Sequence, residues 1–154
     1  MTEPLAADIA DRLRDIGLEN PDPSDALHRR LVATLQRVRG GSLGAQIVAM
    51  KFDFNWELRA AGAEFATAKT DYEHYMDKTK AALMLGDGHS AVKADAIAGG
   101  SDEAYTMLLK YRLAEQRERA LRKFLDTLDN RVEVWRSENA NERRADAFHS
   151  QTAT

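Results

Sequence analysis

An all-α fold, a long antiparallel helical hairpin carrying a small N-terminal two-helix head, is what this sequence predicts, and three observations predict it. Ala, Leu, Arg, Glu and Lys dominate, whereas Val, Ile and Thr never gather into the alternating runs of a strand. The three prolines, Pro4, Pro21 and Pro23, all precede residue 24, so nothing beyond them forbids helix. Two very long stretches then repeat apolar residues by threes and fours, in the manner of coiled-coil seams.

Composition bounds the rest. Over 154 residues, 44% are hydrophobic and 31% charged, enough apolar material for a core within one domain. Cysteine is absent, which removes disulfides, thiolate zinc sites and cysteine nucleophiles. No apolar run approaches the roughly 20 residues that cross a bilayer. The opening "MTEPLAADIADRLRD" is acidic and amphipathic, unlike a signal peptide. The expectation is a soluble, cytoplasmic protein with no membrane partner.

Pro4 suits an early helical position, and Leu5, Ile9, Leu13 and Ile16 follow at helical spacing until Gly17. "LENPDPS" reads as a linker with Ser24 as the cap of a second helix carrying Leu27, Leu31, Leu35 and Val38. Gly40-Gly41 closes this head, residues 1–41, and is expected to act as a hinge. Ser42 then caps a helix with Ile47, Met50, Phe54, Leu58, Ala61, Phe65, Ala68, Tyr72, Met76, Thr79 and Leu83 on one seam, ending at "GDG". At 1.5 Å per residue such a helix spans about 65 Å.

"HSAVKADAIAGG" allows a short helical turn before Ser101, Asp102 and Glu103 announce the last helix. Its seam reads Met107, Tyr111, Ala114, Glu118, Leu121, Leu125, Leu128, Val132, Trp135 and Asn139, alternating steps of four and three. Asn139, an amide at a seam position, is expected to fix register. The hairpin is placed at residues 42–149, with a disordered tail at 150–154. Phe52, Trp56, Tyr105, Leu108 and Phe124 widen the apolar stripes beyond what one partner helix covers, so the surplus needs either the head or a second chain, and a homodimer closing a four-helix arrangement is the simplest closure expected. Leu121, Leu125, Leu128, Val132 and Trp135 are its expected interface.

Signals for chemistry are sparse. His28, His74, His89 and His149 lack mutual ligand spacing, and "DYEHYMD" gives only a single Asp71–His74 pair. Glu115 with Glu118, and Asp126 with Asp129, are spaced as in helical metal-dependent nucleotide pyrophosphohydrolases, yet the other long helix offers no second pair opposite. "RGGSLG" lacks the Lys-Ser/Thr of a phosphate loop. The aromatic group "FDFNW" could stack bases, but its helical spacing favours core or an interface seam. Lys110, Arg112, Arg117, Arg119, Arg122 and Lys123 make a basic stretch interrupted by Glu115 and Glu118, suited to weak contact with nucleic acid or an acidic partner. No catalytic residue, metal ligand or cofactor is assigned.

A helix ending in Gly, the "SAVKADAIA" interruption, "YRLAEQRERALR" and the closing "RSENANERRAD" resemble a group of small helical coiled-coil accessory proteins of tailed bacteriophages. The resemblance spans residues 65–147 and leaves the head outside it. It implies genes lying near those for recombination and single-strand annealing or binding proteins, and a host-cell cytoplasmic location; it names no functional residues. The expected function is therefore a non-enzymatic accessory role in phage DNA recombination or replication, exercised by protein–protein contact through a coiled-coil dimer. The alternatives are direct nucleic-acid binding through residues 110–123, a metal-dependent nucleotide pyrophosphohydrolase, and a virion scaffold or tail chaperone.

Overall fold

The chain begins and ends its helices where local chemistry at their termini dictates. The computed structural model describes residues 5–152, with side chains as far as Phe148. Among the described residues there are five helices and no strand: α1 (Ala7–Asp15), α2 (Ala26–Arg37), α3 (Leu43–Leu85), α4 (Ala91–Gly99) and α5 (Asp102–Thr152). Helix α1 starts at Ala7, later than expected, with Leu5 ahead of it and Pro4 outside the described residues. It stops at Gly17, whose φ of 84° lets its N–H reach Arg14 and that of Leu18 reach Leu13.

The cap of α2 is Asp25, not the expected Ser24. The Asp25 carboxylate accepts the His28 N–H at 3.0 Å. Ser24 is committed elsewhere: its hydroxyl and its N–H both donate to Asp22, and these bonds hold the Asp22 carboxyl below the usual carboxylate range. Ser42 and Ser101, the expected caps, each offer a side-chain oxygen to the N–H three residues on, and Ser90 does the same for α4. Backbone helix continues to Thr152, and of the expected tail, 153 and 154 lie outside the described residues, as do the side chains of 149–152.

Two compact units emerge, Met1–Glu57 with Arg122–Thr154, and Leu58–Leu121. The expected division at residue 41 is not among them, because the head shares a core with both long helices. Leu13, Leu31 and Leu35 of the head are as fully buried as Met50 and Phe54 of α3 and Leu128 of α5. Phe54 stacks on Phe124 with centroids 5.4 Å apart, Arg131 pairs with Asp15 at 3.2 Å, and Lys51 pairs with Asp129. Gly44 allows α3 to lie flat against Trp135: a Cβ there would stand 2.6 Å from the indole ring.

The glycine pair at 40–41 is tied down by Gln46. Its amide Nε2 lies within donor distance of the carbonyls of Val38, Arg39 and Gly41, at 3.5, 3.2 and 3.4 Å, while its Oε1 accepts from Arg12 at 2.9 Å. One nearly buried amide thus links α1, the connector and α3, satisfying carbonyls that the end of α2 leaves open. Arg39 adds a two-pronged bond to Asp8 at 2.6 and 2.8 Å. That bond holds the Asp8 carboxyl below its ordinary value and raises Arg39.

In the second unit Tyr111 of α5 stacks with both Phe65 and Tyr72 of α3, at 5.7 and 6.2 Å. Buried Ala61, Ala68, Ala104 and Ala114 allow close approach of the two helices. Helix α4 seats Ala94 and Ala98 in the interior, and the Tyr75 and Ser101 hydroxyls meet at 2.9 Å.

Two substitutions separate packing from propensity. Gly62 sits in α3, and a Cβ on it would meet nothing within 4 Å, so Gly62→Ala should stabilise by about 0.5–1 kcal/mol through helix propensity alone. Gly44→Ala should instead destabilise by about 1–2 kcal/mol, the overpacking against Trp135 outweighing the same gain. Urea denaturation of both checks the pair; stabilisation by both would contradict the Gly44–Trp135 contact.

Acid should loosen the head. Because the folded Asp8 carboxyl is depressed, its contribution is complete above its unfolded value and is lost as pH falls through the lower folded value. Asp8→Asn should remove that part of the stability loss seen below about pH 4, measured as the difference in urea midpoint between pH 7 and pH 3.

Candidate functional site

The residues expected to recruit a second molecule are mostly spent inside the chain. Leu121, Leu128 and Val132 are buried, Leu128 completely, and Leu125 and Trp135 are half-buried, Trp135 lying over Gly44. The seam is apolar, as its spacing predicts, but it faces α3 of its own chain rather than solvent. Packing within the chain already covers Leu121, Leu128 and Val132, and leaves Leu125 and Trp135 half-exposed.

The basic stretch is exposed but largely compensated. Arg112 and Arg119 both bond Glu115, at 3.0 and 2.7 Å, and Arg117 reaches across to Glu64 at 3.1 Å. The Arg112 guanidinium also lies 5.1 Å from the centre of the Tyr111 ring. Lys110 borders a shallow depression with Asp71, His74 and Lys78, while Arg122 and Lys123 are exposed. Surface pairs of this kind add little stability, but they lower the net charge that a phosphate backbone would meet.

The acid pairs fare similarly. Glu115 is held between two guanidinium groups, and Asp129 is engaged by Lys51. Among the described residues no three His, Asp or Glu side chains converge so as to hold a metal ion.

What sequence reasoning missed is a different face. Val48, Phe52 and Trp56 follow one another at steps of four on α3 and all are exposed, Phe52 at 74% and Trp56 at 66%. Core or an interface seam is the expectation for the aromatic group; Phe54 is core, buried against Phe124, while Phe52 and Trp56 are not. A signal existed. Two residues advance a helix by about 200°, so Phe54 points away from the side that Phe52 and Trp56 share. Only Phe54 lies on the same stripe as Ile47 and Met50.

Aromatic side chains carry roughly 150–250 Å² each, so this face presents on the order of 350 Å² of apolar surface, within the range of the largest apolar patch on a typical monomer. Beside it Phe52 and Trp56 border an open depression that also touches Arg30 and Asp53. Arg30 Nη1 and Asp53 Oδ2 are shielded from solvent and have no hydrogen-bond partner, although Arg30 Nη1 lies 3.6 Å from Glu57 as an ion pair. The surface thus combines large rigid aromatics with polar groups whose hydrogen bonding is incomplete, which is chemistry for docking rather than for bond making.

No protein-family model, no curated protein and no solved structure matches the chain. Its surfaces are therefore the guide to its function.

The two tryptophans offer a direct check. With Trp135→Phe, emission comes from exposed Trp56 and should be red-shifted and strongly quenched by iodide. With Trp56→Phe, the remaining Trp135, packed over Gly44, should emit further to the blue and be quenched several-fold less.

Proposed function

We propose that this chain is a non-enzymatic accessory protein that acts by holding a protein partner on the Val48–Phe52–Trp56 face of α3. The resemblance to phage helical accessory proteins supplies the setting, DNA recombination or replication in an infected cell. The observation that carries the docking reading is the exposure of two large aromatics, side by side on a helix whose opposite side is anchored in the core. Trp and Arg are the side chains most often found at the energetic centre of interfaces, and a packed helix presents an aromatic with little entropy left to lose. Arg30, which borders the same depression as Phe52 and Trp56, adds a cation to the face. Covering Phe52 and Trp56 contributes about 1.5–3 kcal/mol each, a sizeable share of a micromolar affinity of about 8 kcal/mol.

Direct nucleic-acid binding is the second reading, favoured by the same aromatics standing near Arg30, since bases stack on such side chains. The compensation of Arg112, Arg117 and Arg119 by Glu115 and Glu64 weighs against a phosphate-tracking role for residues 110–123.

Capture from phage-infected cells tests the proposal. The native chain should enrich recombination or replication proteins, and a Phe52→Ala/Trp56→Ala variant of unchanged helicity should lose them at least tenfold. Enrichment of virion structural proteins would favour a scaffold or tail chaperone instead. For the nucleic-acid reading, anisotropy with single-stranded DNA should show no appreciable binding; affinity that falls steeply between about 50 and 200 mM salt would replace the proposal with that reading.

A further inference from the structure

We propose that a small cavity under the head, floored by Ile16, Leu43, Ile47 and Met50 and bordered by Arg131, binds a carboxylate carrying a short branched alkyl chain. The cavity lies within the first unit, against the stripe of α3 that Phe52 and Trp56 do not share. The inference is therefore independent of the α3 docking face.

Three observations carry it. The first is unfilled space in a core that is otherwise tightly packed. The end of α1, the start of α3 and Arg131 of α5 enclose about 90 Å³. Ile16, Ile47 and Met50 border that space and are 4%, 2% and 1% exposed, so its floor belongs to the core. In the same unit a single Cβ added at Gly44 would collide with Trp135. Voids larger than a water molecule are few in protein interiors.

The second is the chemistry of the floor. Ile16, Leu43, Ile47 and Met50 offer water no side-chain hydrogen bond, so an alkyl group enters without displacing bound solvent. About 150 Å³ of apolar space holds a benzene ring, so about 90 Å³ suits a branched chain of roughly four carbons.

The third is charge at the mouth. Arg12 and Arg131 border the cavity, and Asp15 is the one carboxylate that borders it with them. Asp15 gives Oδ2 to Arg12 Nη1 and Oδ1 to Arg131 Nη2, each at 3.2 Å. Arg12 Nε donates to Gln46. Among the described residues Arg131 has no ion-pair partner besides Asp15, and 44% of its side chain is exposed, so guanidinium N–H groups remain to donate. Two cations around one anion leave positive charge in excess beside an apolar floor. A monocarboxylate meets both conditions. Its alkyl chain fills the floor, and its oxygens accept from Arg131 in the paired geometry that guanidinium favours. A cation would be repelled, and an anion without a tail would leave the floor empty.

Titration of the full chain with isovalerate, followed by calorimetry and methyl NMR, tests this. A dissociation constant of about 0.1–1 mM is expected for so small a ligand, with shifts centred on Ile16, Leu43, Ile47 and Met50. Isoamyl alcohol has the same chain without the charge, and acetate has the charge without the chain. Each should bind at least tenfold more weakly than isovalerate. Arg131→Gln should weaken isovalerate at least tenfold and leave the alcohol unchanged, a contrast that a purely structural role would not produce. Leu43→Phe, which places a ring in the cavity, should abolish binding of both with helicity retained. A short peptide ending in a free Leu carboxylate identifies the source. Tighter binding than isovalerate assigns the site to a protein C-terminus and weaker binding to a free small acid, and both support the site. No methyl shift up to about 10 mM isovalerate overturns the proposal. So does equal affinity for acid and alcohol, or an Arg131→Gln protein that binds isovalerate as before. None of these results bears on partner capture by Phe52 and Trp56, so the two readings fail separately.

Discussion

One helix covers only part of the circumference of another, and this limit governs the whole chain. An apolar stripe wider than its partner needs a third element to cover it or is left facing water. In the first unit the third element is the head: Leu13, Leu31 and Leu35 share a core with Phe54 and Leu128, and the space between α3 and α5 is closed. In the second unit α4 contributes Ala94 and Ala98, and the outer side of α5 still carries Tyr105, Leu109 and Leu113 in solvent. The exposed faces are what remains once internal covering is complete, and they are where another molecule can attach.

Polar groups make that covering specific. Apolar burial alone would tolerate several placements of the head, since leucines pack against leucines in many registers. Gln46 restricts them. Its amide has acceptors in three connector carbonyls and a donor in Arg12, and any displacement of α1 or of the connector would strand some of these groups away from water. Gly44 adds a steric condition, because only the absence of a Cβ lets Trp135 sit where it does. Together they turn a glycine pair that looks like a hinge into a fixed corner.

Much of the fold was legible because its determinants are local or periodic. Ser42, Ser90 and Ser101 cap helices by contacts spanning three residues, and the alternating seam from Met107 to Asn139 needs only the helical repeat to be seen. Ser24 misled because two candidate caps adjoin, and the choice fell to Asp25 once Asp22 had taken the serine hydroxyl. The use of the seam was not legible. Nothing in Leu121, Leu125, Leu128, Val132 and Trp135 says whether the covering surface comes from the same chain or from another. That depended on the head folding onto the hairpin, a long-range event with no short-range mark. The face at Phe52 and Trp56 was readable in principle from its angular separation from Phe54, but a group of three aromatics within five residues reads as one feature until each is assigned its side.

Covering from within, with two faces left over, is tested most directly by hydroxyl-radical footprinting of the dilute monomer, read by mass spectrometry. Phe52, Trp56 and Leu113 should oxidise readily, while Leu31, Phe54, Leu121 and Leu128 should be protected to a similar degree in the head and in both long helices. Ready oxidation of Leu121 and Leu128, with Phe52 and Trp56 protected, would mean that the seam lies open and the aromatic face is interior, the reverse of the covering described.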